Sequence, residues 1–437
     1  MFSMKRDVWQ NWSQTVYCHP EKIHYPKNID DVIQLVTACR RLGKSMRIVG
    51  AGHSFTPLAA TSEWLVSLKY LSGIAAIDRA KQSVTVWAGT TLKDLGQLLY
   101  DEGYAMENFG DINAQSVAGA ISTGTHGTGI GFGSLSTQVT MLTIVTASGE
   151  IMDISAKNTP QLFDAARLSL GMFGIIVKVE LSVIPTQKLV AESYRTTLEH
   201  CFNNLDMLLD TNRHFEFYWF PYTETVQVKI LNNAGHNTVK STGKRAAFKK
   251  YVIENGLFWI LSEITRTLPA ISKRTSQISA MSVPTGIESG ESHLLYPTPR
   301  LVKFREMEYS VPAAYLPAVL NDIRYTIEKE NIRVHFPIEC RYVQADNIWL
   351  SPSYNRDSAY IAIHMYKGMT FQTYFDAVEK VFQHYNGRPH WGKMHTMTAE
   401  QLENLYPHFQ TFLHLRQEMD PNGIFLNPYV KHLFNIP

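Results

Sequence analysis

The chain has 437 residues, of which 45% are hydrophobic and 18% charged; that is too long for one ordinary core and too apolar for disorder, so two packed domains are expected. A formal net charge of only +2, with no sustained Lys/Arg run, lacks the electrostatic footprint of a nucleic-acid binder and leaves a small molecule as the partner. Cys18, Cys39, Cys201 and Cys340 are scattered with no C-x-x-C spacing and no secretory signal before them, and no stretch reaches the ~18 apolar residues of a membrane span, so free thiols, no metal site, no transmembrane segment and a cytoplasmic setting are expected.

Residues 28–42 place Ile29, Val32, Ile33 and Val36 at helical spacing, with acidic residues early, Arg40 and Arg41 late, and Gly43 as the stop. Ser45–Gly50 reads as a strand entering a glycine-rich turn, and Trp64–Leu68, Ala75–Asp78 and Ser83–Ala88 as three more strands. Thr91 can cap a helix that aligns Leu92, Leu95, Leu98 and Leu99 and ends at Gly103. Residues 138–154 hold two apolar runs about Ser148-Gly149, a hairpin signature. The helices are too few for strict βαβ alternation, so an α+β fold is expected rather than a doubly wound sheet. After Pro185 the texture changes: Phe215–Ile230 and Val302–Val311 read as long strands, and Ala313–Lys329 as a helix crossing behind them. Residues 244–275 join basic residues to the apolar run YVIENGLFWILSEI; a helix buried against its own domain is favoured over one lying on a membrane surface, and Gly256 weakens it either way.

Two glycine-bearing segments carry the chemistry. Arg47–Phe55 (RIVGAGHSF) sets Gly50 and Gly52 after a strand, where the backbone can approach a phosphate, but Phe55 and Pro57 deny the third glycine and helix of a nicotinamide-binding turn. Ser116–Gly133 (SVAGAISTGTHGTGIGFG) interleaves six glycines with small hydroxyl residues, giving amides and hydroxyls able to wrap a pyrophosphate. Taken singly, each could be a set of tight turns; two such loops imply a large dinucleotide. Later, Glu339 and Arg341 lie two apart in HFPIECRYV, so a strand there points both to one face and Cys340 to the other. The bland alternatives are a cross-strand salt bridge for that pair, a solvated charge for Lys393 and a satisfied core histidine for His364.

Taken in order, V-G-x-G-H-S and S-V-A-G-x-I-S-T-G-T-H-G-T-G resemble the FAD domain of the vanillyl-alcohol oxidase type, and within it the sugar-1,4-lactone and alditol oxidases. GMFGIIV (171–177), EMEYSVP (306–312), Glu339-Cys340-Arg341, HWGK (390–393) and DPNGIFLNPY (420–429) extend the likeness over nearly the whole chain. The resemblance implies an FAD-binding domain of two subdomains over residues 1–186, an α+β substrate (cap) domain with a large antiparallel sheet over 187–395, and a C-terminal segment, 396–437, returning toward the FAD domain. It implies that FAD is held by Val49, Gly50, Ala51, Gly52, His53 and Ser54, by Gly110 and Asp111, by Ser116, Val117, Gly119, Thr123, Gly124, Thr125 and Gly127, by Ile176 and Val177, and by Lys393. His53 matches the histidine that relatives bond to the flavin 8α carbon, while His126 is expected only to pack near the cofactor.

Oxidising an alcohol by hydride transfer to flavin N5 needs a base for the hydroxyl proton and a cation near the flavin N1–C2 edge. The resemblance assigns Glu339 and Arg341 to the substrate hydroxyls and flavin edge, Lys393 to the reaction centre, and His364 as first candidate for base. Asp111 stands where alditol oxidases have a substrate-facing serine, and Gly110 where plant lactone dehydrogenases hold an alanine that hinders oxygen, which leans toward an oxidase. The tail Asp420–Phe434 favours lactone enzymes. The expected function is oxidation of an aldono-1,4-lactone of the gulonolactone or arabinonolactone type with oxygen as acceptor; the alternatives are an alditol oxidase, a lactone dehydrogenase using another acceptor, and a non-catalytic ligand binder, the last disfavoured by the joint presence of His53, Glu339, Arg341 and Lys393.

Overall fold

Asn28 starts the first helix, Ile29–Arg41, by accepting the Asp31 N–H at 2.8 Å, and Val32, Val36 and Cys39 are the face it buries. That helix packs on strand Val139–Val145, and its flanking segments supply a three-stranded parallel sheet in which Trp64–Ser67 lies between Lys22–His24 and Met46–Val49. The computed structural model describes residues 7–235, 256, 258–297 and 302–437. A second, antiparallel sheet of five strands has the order Ile151–Ser155, Val139–Val145, Ile175–Ser182, Ser83–Trp87, Ile74–Asp78. The expected hairpin is its edge pair, closing through Gly149 at φ +89°. Thr91 caps Leu92–Asp101 by accepting the Asp94 N–H, and Gly103 follows the helix at φ +84°, as the leucine spacing predicts.

The third sheet is larger, with eight antiparallel strands in the order Gly286–Glu291, Lys188–Thr197, Thr225–Asn233, His214–Trp219, Ile338–Val343, Ser358–Tyr366, Phe304–Pro312, Arg388–Pro389. The helices Leu316–Lys329 and Gln372–His384 pack against each other, and together with the three sheets they make the α+β class expected from composition of elements. The C-terminal residues return to the first sheet: Met46 N–H donates to Ile424 O at 2.7 Å, and Asn427 Nδ2 donates to Pro57 O and Ala60 O, each at 2.8 Å.

One reading of the sequence needs correction and a second needs refining. The single strand expected over 215–230 is a hairpin, His214–Trp219 and Thr225–Asn233, because Pro221 has no N–H to donate and Tyr222 adopts φ +64°, while the apolar alternation runs on across the turn. The helix expected within 244–275 to lie against its own domain does so over its described residues, but through a mixed face that includes Phe258, which packs on Phe336. Residues 244–255 and 257 of that segment lie outside the described residues, but over 258–267, which are helical, Ser262 and Thr265 are buried while Trp259, Ile260 and Ile264 are exposed. Among the described residues no helix is long and apolar enough to cross a membrane.

Candidate active site

Sheet register decides which charged side chains meet. Glu339 pairs with Tyr218 on one side and Ala362 on the other, and Ala362 pairs in turn with Glu308. One pleat along, Arg341 pairs with Glu216 and Tyr360, and at the far end Glu306 pairs with His364. Because side chains alternate along a strand, Glu339, Arg341, His364, Glu306 and Glu308 share one face, and small Ala362 leaves room between the carboxylates. The opposite face is core: Cys340, Ile361, Ile363 and Met307 are fully or nearly fully buried.

Arg341 is gripped from three sides. Its Nε donates to Glu216 at 2.9 Å, its Nη2 to Glu339, and Asp111 Oδ2 stands 3.6 Å away. Burial lowers the pKa of its guanidinium, but Glu339, Glu216, Tyr218 and Asp111 more than offset that and hold it well above the ordinary range. Tyr218 Oη donates to Glu339 at 2.5 Å, fixing that carboxylate's orientation.

Lys393 arrives from a loop hung on the neighbouring strand: His390 N–H donates to Glu308 O and Met394 N–H to Glu306 O, both at 3.0 Å. Its ammonium lies 2.5 Å from Glu306 Oε2 and 3.9 Å from Glu308 Oε2. Burial raises the pKa of Glu306, but Lys393 and His364 outweigh it and bring the carboxyl down to about 2. His364 Nε2 lies 3.5 Å from Glu306 Oε1, with its Nδ1 3.3 Å from Pro337 O. A matching pair lies beyond Lys393: His126 Nε2 is 3.3 Å from Glu308 Oε1 and its Nδ1 is 2.8 Å from Gly127 O. His126, Glu308 and His390 gather within 4.8 Å, but His390 Nδ1 already accepts the Gly392 N–H, so its lone pair is spent on the protein.

These groups line a cavity of about 320 Å³ whose apolar wall is Trp12, Phe55 and Phe304. A second cavity, about 310 Å³, is lined by Val49, Gly50, Ala51, Gly52, His53, Ser54, Ser116, Gly119, Thr123 and Ile176 among others. His53 and Ser54 border both. The two differ sharply in charge. Among the described residues the second is lined by no Asp or Glu but has Lys69, several hydroxyls and glycine backbone, with Gly52 at φ +71° and Gly171 at φ +72° turning the chain around the space. This donor set suits an anionic dinucleotide such as FAD, whose pyrophosphate needs amides, hydroxyls and cations and no carboxylate. Arg47 is not one of those donors: its guanidinium is spent on Leu58 O and Leu170 O, at 2.7 and 2.8 Å, and on Phe425 O. Burial and then Lys393 push the His53 imidazole down to about 4, leaving it neutral at pH 7.

Of the other expected contacts, Asp111 and Thr125 border the carboxylate-rich cavity together with Glu339, Arg341, His364 and Lys393. Gly110, Val117, Gly124, Gly127 and Val177 line neither cavity; Val117 and Val177 are core side chains, and a Cβ on Gly127 would lie 2.2 Å from Phe109 O. They shape the loops from behind. Sequence reading passed over Glu306, Glu308 and His390, although the E-x-E spacing carries the same one-face signal as E-x-R. Trp12 and Phe304 had no signal of their own, being aromatic residues in ordinary context.

A family model described as D-arabinono-1,4-lactone oxidase matches residues 179–433, and one described as FAD binding domain matches residues 20–155. The chain is 33% identical over 427 residues to an L-gulono-1,4-lactone dehydrogenase of Mycobacterium tuberculosis, covering 98% of this chain and 99% of that protein. It is 32% identical to the L-gulonolactone oxidase of Bos taurus, with 98% of each covered, and 31% identical to a D-arabinono-1,4-lactone oxidase of Kluyveromyces lactis, covering 85% of this chain and 74% of that protein. Among solved structures, cholesterol oxidase from Brevibacterium sterolicum superposes with a TM-score of 0.82 over 98% of this chain and 97% of that chain, at 17% identity, a likeness of fold alone.

Proposed function

We infer what this chain does from the family it belongs to, that of D-arabinono-1,4-lactone oxidase: it is an FAD-dependent oxidoreductase that oxidises an alcohol group of an aldono-1,4-lactone. The observation that carries the site assignment is the division of charge between two cavities that meet at His53, one free of carboxylates among the described residues and one bordered by Asp111, Glu306, Glu308 and Glu339. The first suits FAD; the second suits an uncharged, many-hydroxyl ring, whose hydroxyls donate to carboxylates.

When bound, FAD supplies the two-electron acceptor for the alcohol. Glu339 and Asp111 take hydrogen bonds from the substrate hydroxyls, and Arg341, held between them, cannot swing away. Lys393 and Arg341 furnish positive charge where negative charge develops on reaction. His364 takes the hydroxyl proton, and Glu306 stabilises the imidazolium that forms, the logic of a carboxylate behind a histidine base. Trp12, Phe55 and Phe304 keep water from the reacting carbon. His53, neutral and at the junction, has the free nitrogen that covalent attachment to the flavin requires.

For the acceptor we propose oxygen, supported by the names of the L-gulonolactone oxidase and D-arabinono-1,4-lactone oxidase relatives; Gly110, which lines neither cavity, lends that no support. A dehydrogenase is the second reading, favoured by the M. tuberculosis relative's name. We keep 1–186, 187–395 and 396–437 as the units of the chain and place it in the cytoplasm on its four unbridged cysteines. Purified holoprotein screened against gulono- and arabinonolactones, alditols and aldoses, with oxygen uptake recorded beside dye reduction, tests the substrate and the acceptor. Turnover of alditols with none of lactones would overturn the substrate, and dye reduction without oxygen uptake the acceptor.

A further inference from the structure

The χ2 torsion of a histidine is intrinsically broad, so a reactive imidazole needs a neighbour to set its plane. Elsewhere in this protein a backbone carbonyl does so: Nδ1 of His126, His214 and His364 lies 2.8, 2.8 and 3.3 Å from the carbonyls of Gly127, Thr128 and Pro337. Among the described residues no protein group hydrogen-bonds either nitrogen of His53. Its ring is set by stacking instead. Trp12 lies over it with ring centroids 5.5 Å apart and planes 22° from parallel.

Trp12 is carried by a strap of chain tied to the backbone on both sides of His53: Trp12 N–H donates to Gly52 O at 2.8 Å, and Asn11 Nδ2 donates to Ser54 O at 2.9 Å. Asn11 Oδ1 also accepts the N–H of Thr15 at 2.9 Å and of Val16 at 3.1 Å, so this one buried side chain both closes the turn of the strap and anchors it. Gly52 lets the strap lie this close, since a Cβ there would stand 3.3 Å from Trp9 Cζ2. The indole is met in turn by the edges of Phe304 and Phe55, at 5.5 and 6.4 Å between centroids, which fix its plane. Trp9 borders the cofactor cavity and Trp12 the substrate cavity, so the strap spans the junction at which His53 stands.

We propose that Trp12 is the positioning residue for flavin attachment, holding the His53 imidazole in the plane from which its free nitrogen meets the flavin 8α carbon. This rests on the covalent link read above for His53. In that reaction the imidazole adds to the tautomerised flavin: the bond from nitrogen to C8α forms, one C8α–H bond and the imidazole N–H bond break, and both hydrogens end on the flavin, which is thereby reduced by two electrons. Dioxygen takes those electrons and hydrogens, going to hydrogen peroxide. A misaimed nucleophile loses rate steeply, and an offset ring pair supplies the aim without engaging either nitrogen.

The test compares wild-type holoprotein with W12F, which keeps an aromatic face, and W12L, which fills the space with apolar volume but cannot stack. Each is purified in excess FAD under air, and the acid-stable share of bound flavin is followed with time beside total flavin content and thermal unfolding. The expected result is full attachment in wild type and W12F, and attachment at least about tenfold slower in W12L while its total bound flavin and melting temperature match those of W12F. Attachment in W12L at the W12F rate overturns the proposal, as does a W12F as slow as W12L. So does a W12L that loses total bound flavin in proportion to acid-stable flavin, since Trp12 would then hold the fold and not the aim. Flavin released wholly by acid from wild type overturns the link itself, and this proposal with it, an outcome that none of the variants can mimic.

Discussion

Lys393 stands between two carboxylates and His53 between two cavities, and each position makes a claim that a single substitution can examine. Lys393→Ala leaves Glu306 and Glu308 without their shared cation; steady-state turnover is expected to fall by about 10²–10⁴-fold while bound flavin is retained, as for other groups that act on developing charge. Arg341→Ala is expected to do as much, with the added penalty of three carboxylates left facing one another. Wild-type rates in either variant would refute those roles. For His53 the readout is colour: protein precipitated with acid should stay yellow, and His53→Ala should release its flavin to the supernatant. At this scale the resemblance named Glu339, Arg341, His364 and Lys393, and the structure brings these four to one cavity. Glu306 and Glu308 were equally visible as charged positions in an apolar strand, yet their meaning depends on Lys393, nearly ninety residues on in the chain.

Elements show a sharper divide. The capped helices were readable from Asn28 and Thr91, since a cap is satisfied by its own neighbours in sequence. The turn at Pro221 was missed because apolar alternation continued through it, and the mixed docking face of residues 258–267 was missed because amphipathic spacing says that a helix has two faces and not which one docks. The FAD cradle gives this scale its own test. A Cβ on Gly89, which lines that cavity, would lie 2.0 Å from Leu68 O, a backbone atom that cannot move without displacing the turn that follows Trp64–Ser67. Gly89→Ala is therefore expected to cost about 1–3 kcal/mol and to lower flavin content, read by thermal unfolding and by the ratio of flavin to protein absorbance. An alanine variant with unchanged melting temperature and full flavin would show that the backbone there yields easily.

For the whole molecule the distinctive quantity is proton uptake on unfolding. Burial pushes His214, His335 and His395 down to about 4 and His390 to about 3, and His395 finds no hydrogen-bond partner for either ring nitrogen among the described residues. The ordinary histidine value is 6.5, so between pH 6.5 and about 4 the unfolded chain binds protons that the folded one refuses. The stability contributed by each such histidine is full above pH 6.5 and declines as pH falls through that window, by up to about 1.4 kcal/mol per pH unit. Glu306, lowered from 4.5 to about 2, acts in the same direction at still lower pH. The melting temperature should therefore drop steadily from pH 7 to pH 4.5; a flat profile would mean that these histidines reach water in the folded state. The sequence by itself determined the fold class, because glycine loops, caps and strand alternation are local properties written within a few residues, and through its family resemblance it determined the cofactor and named the charged groups that the structure gathers in one cavity. Only the tertiary structure decided that Glu306 and Glu308 flank Lys393, that His53 lies where two cavities join, and that Trp259, Ile260 and Ile264 face outward while Phe258 packs inward. Those facts rest on strand register and on packing between distant segments, where the free energy of a residue depends on neighbours that its own stretch of chain does not name.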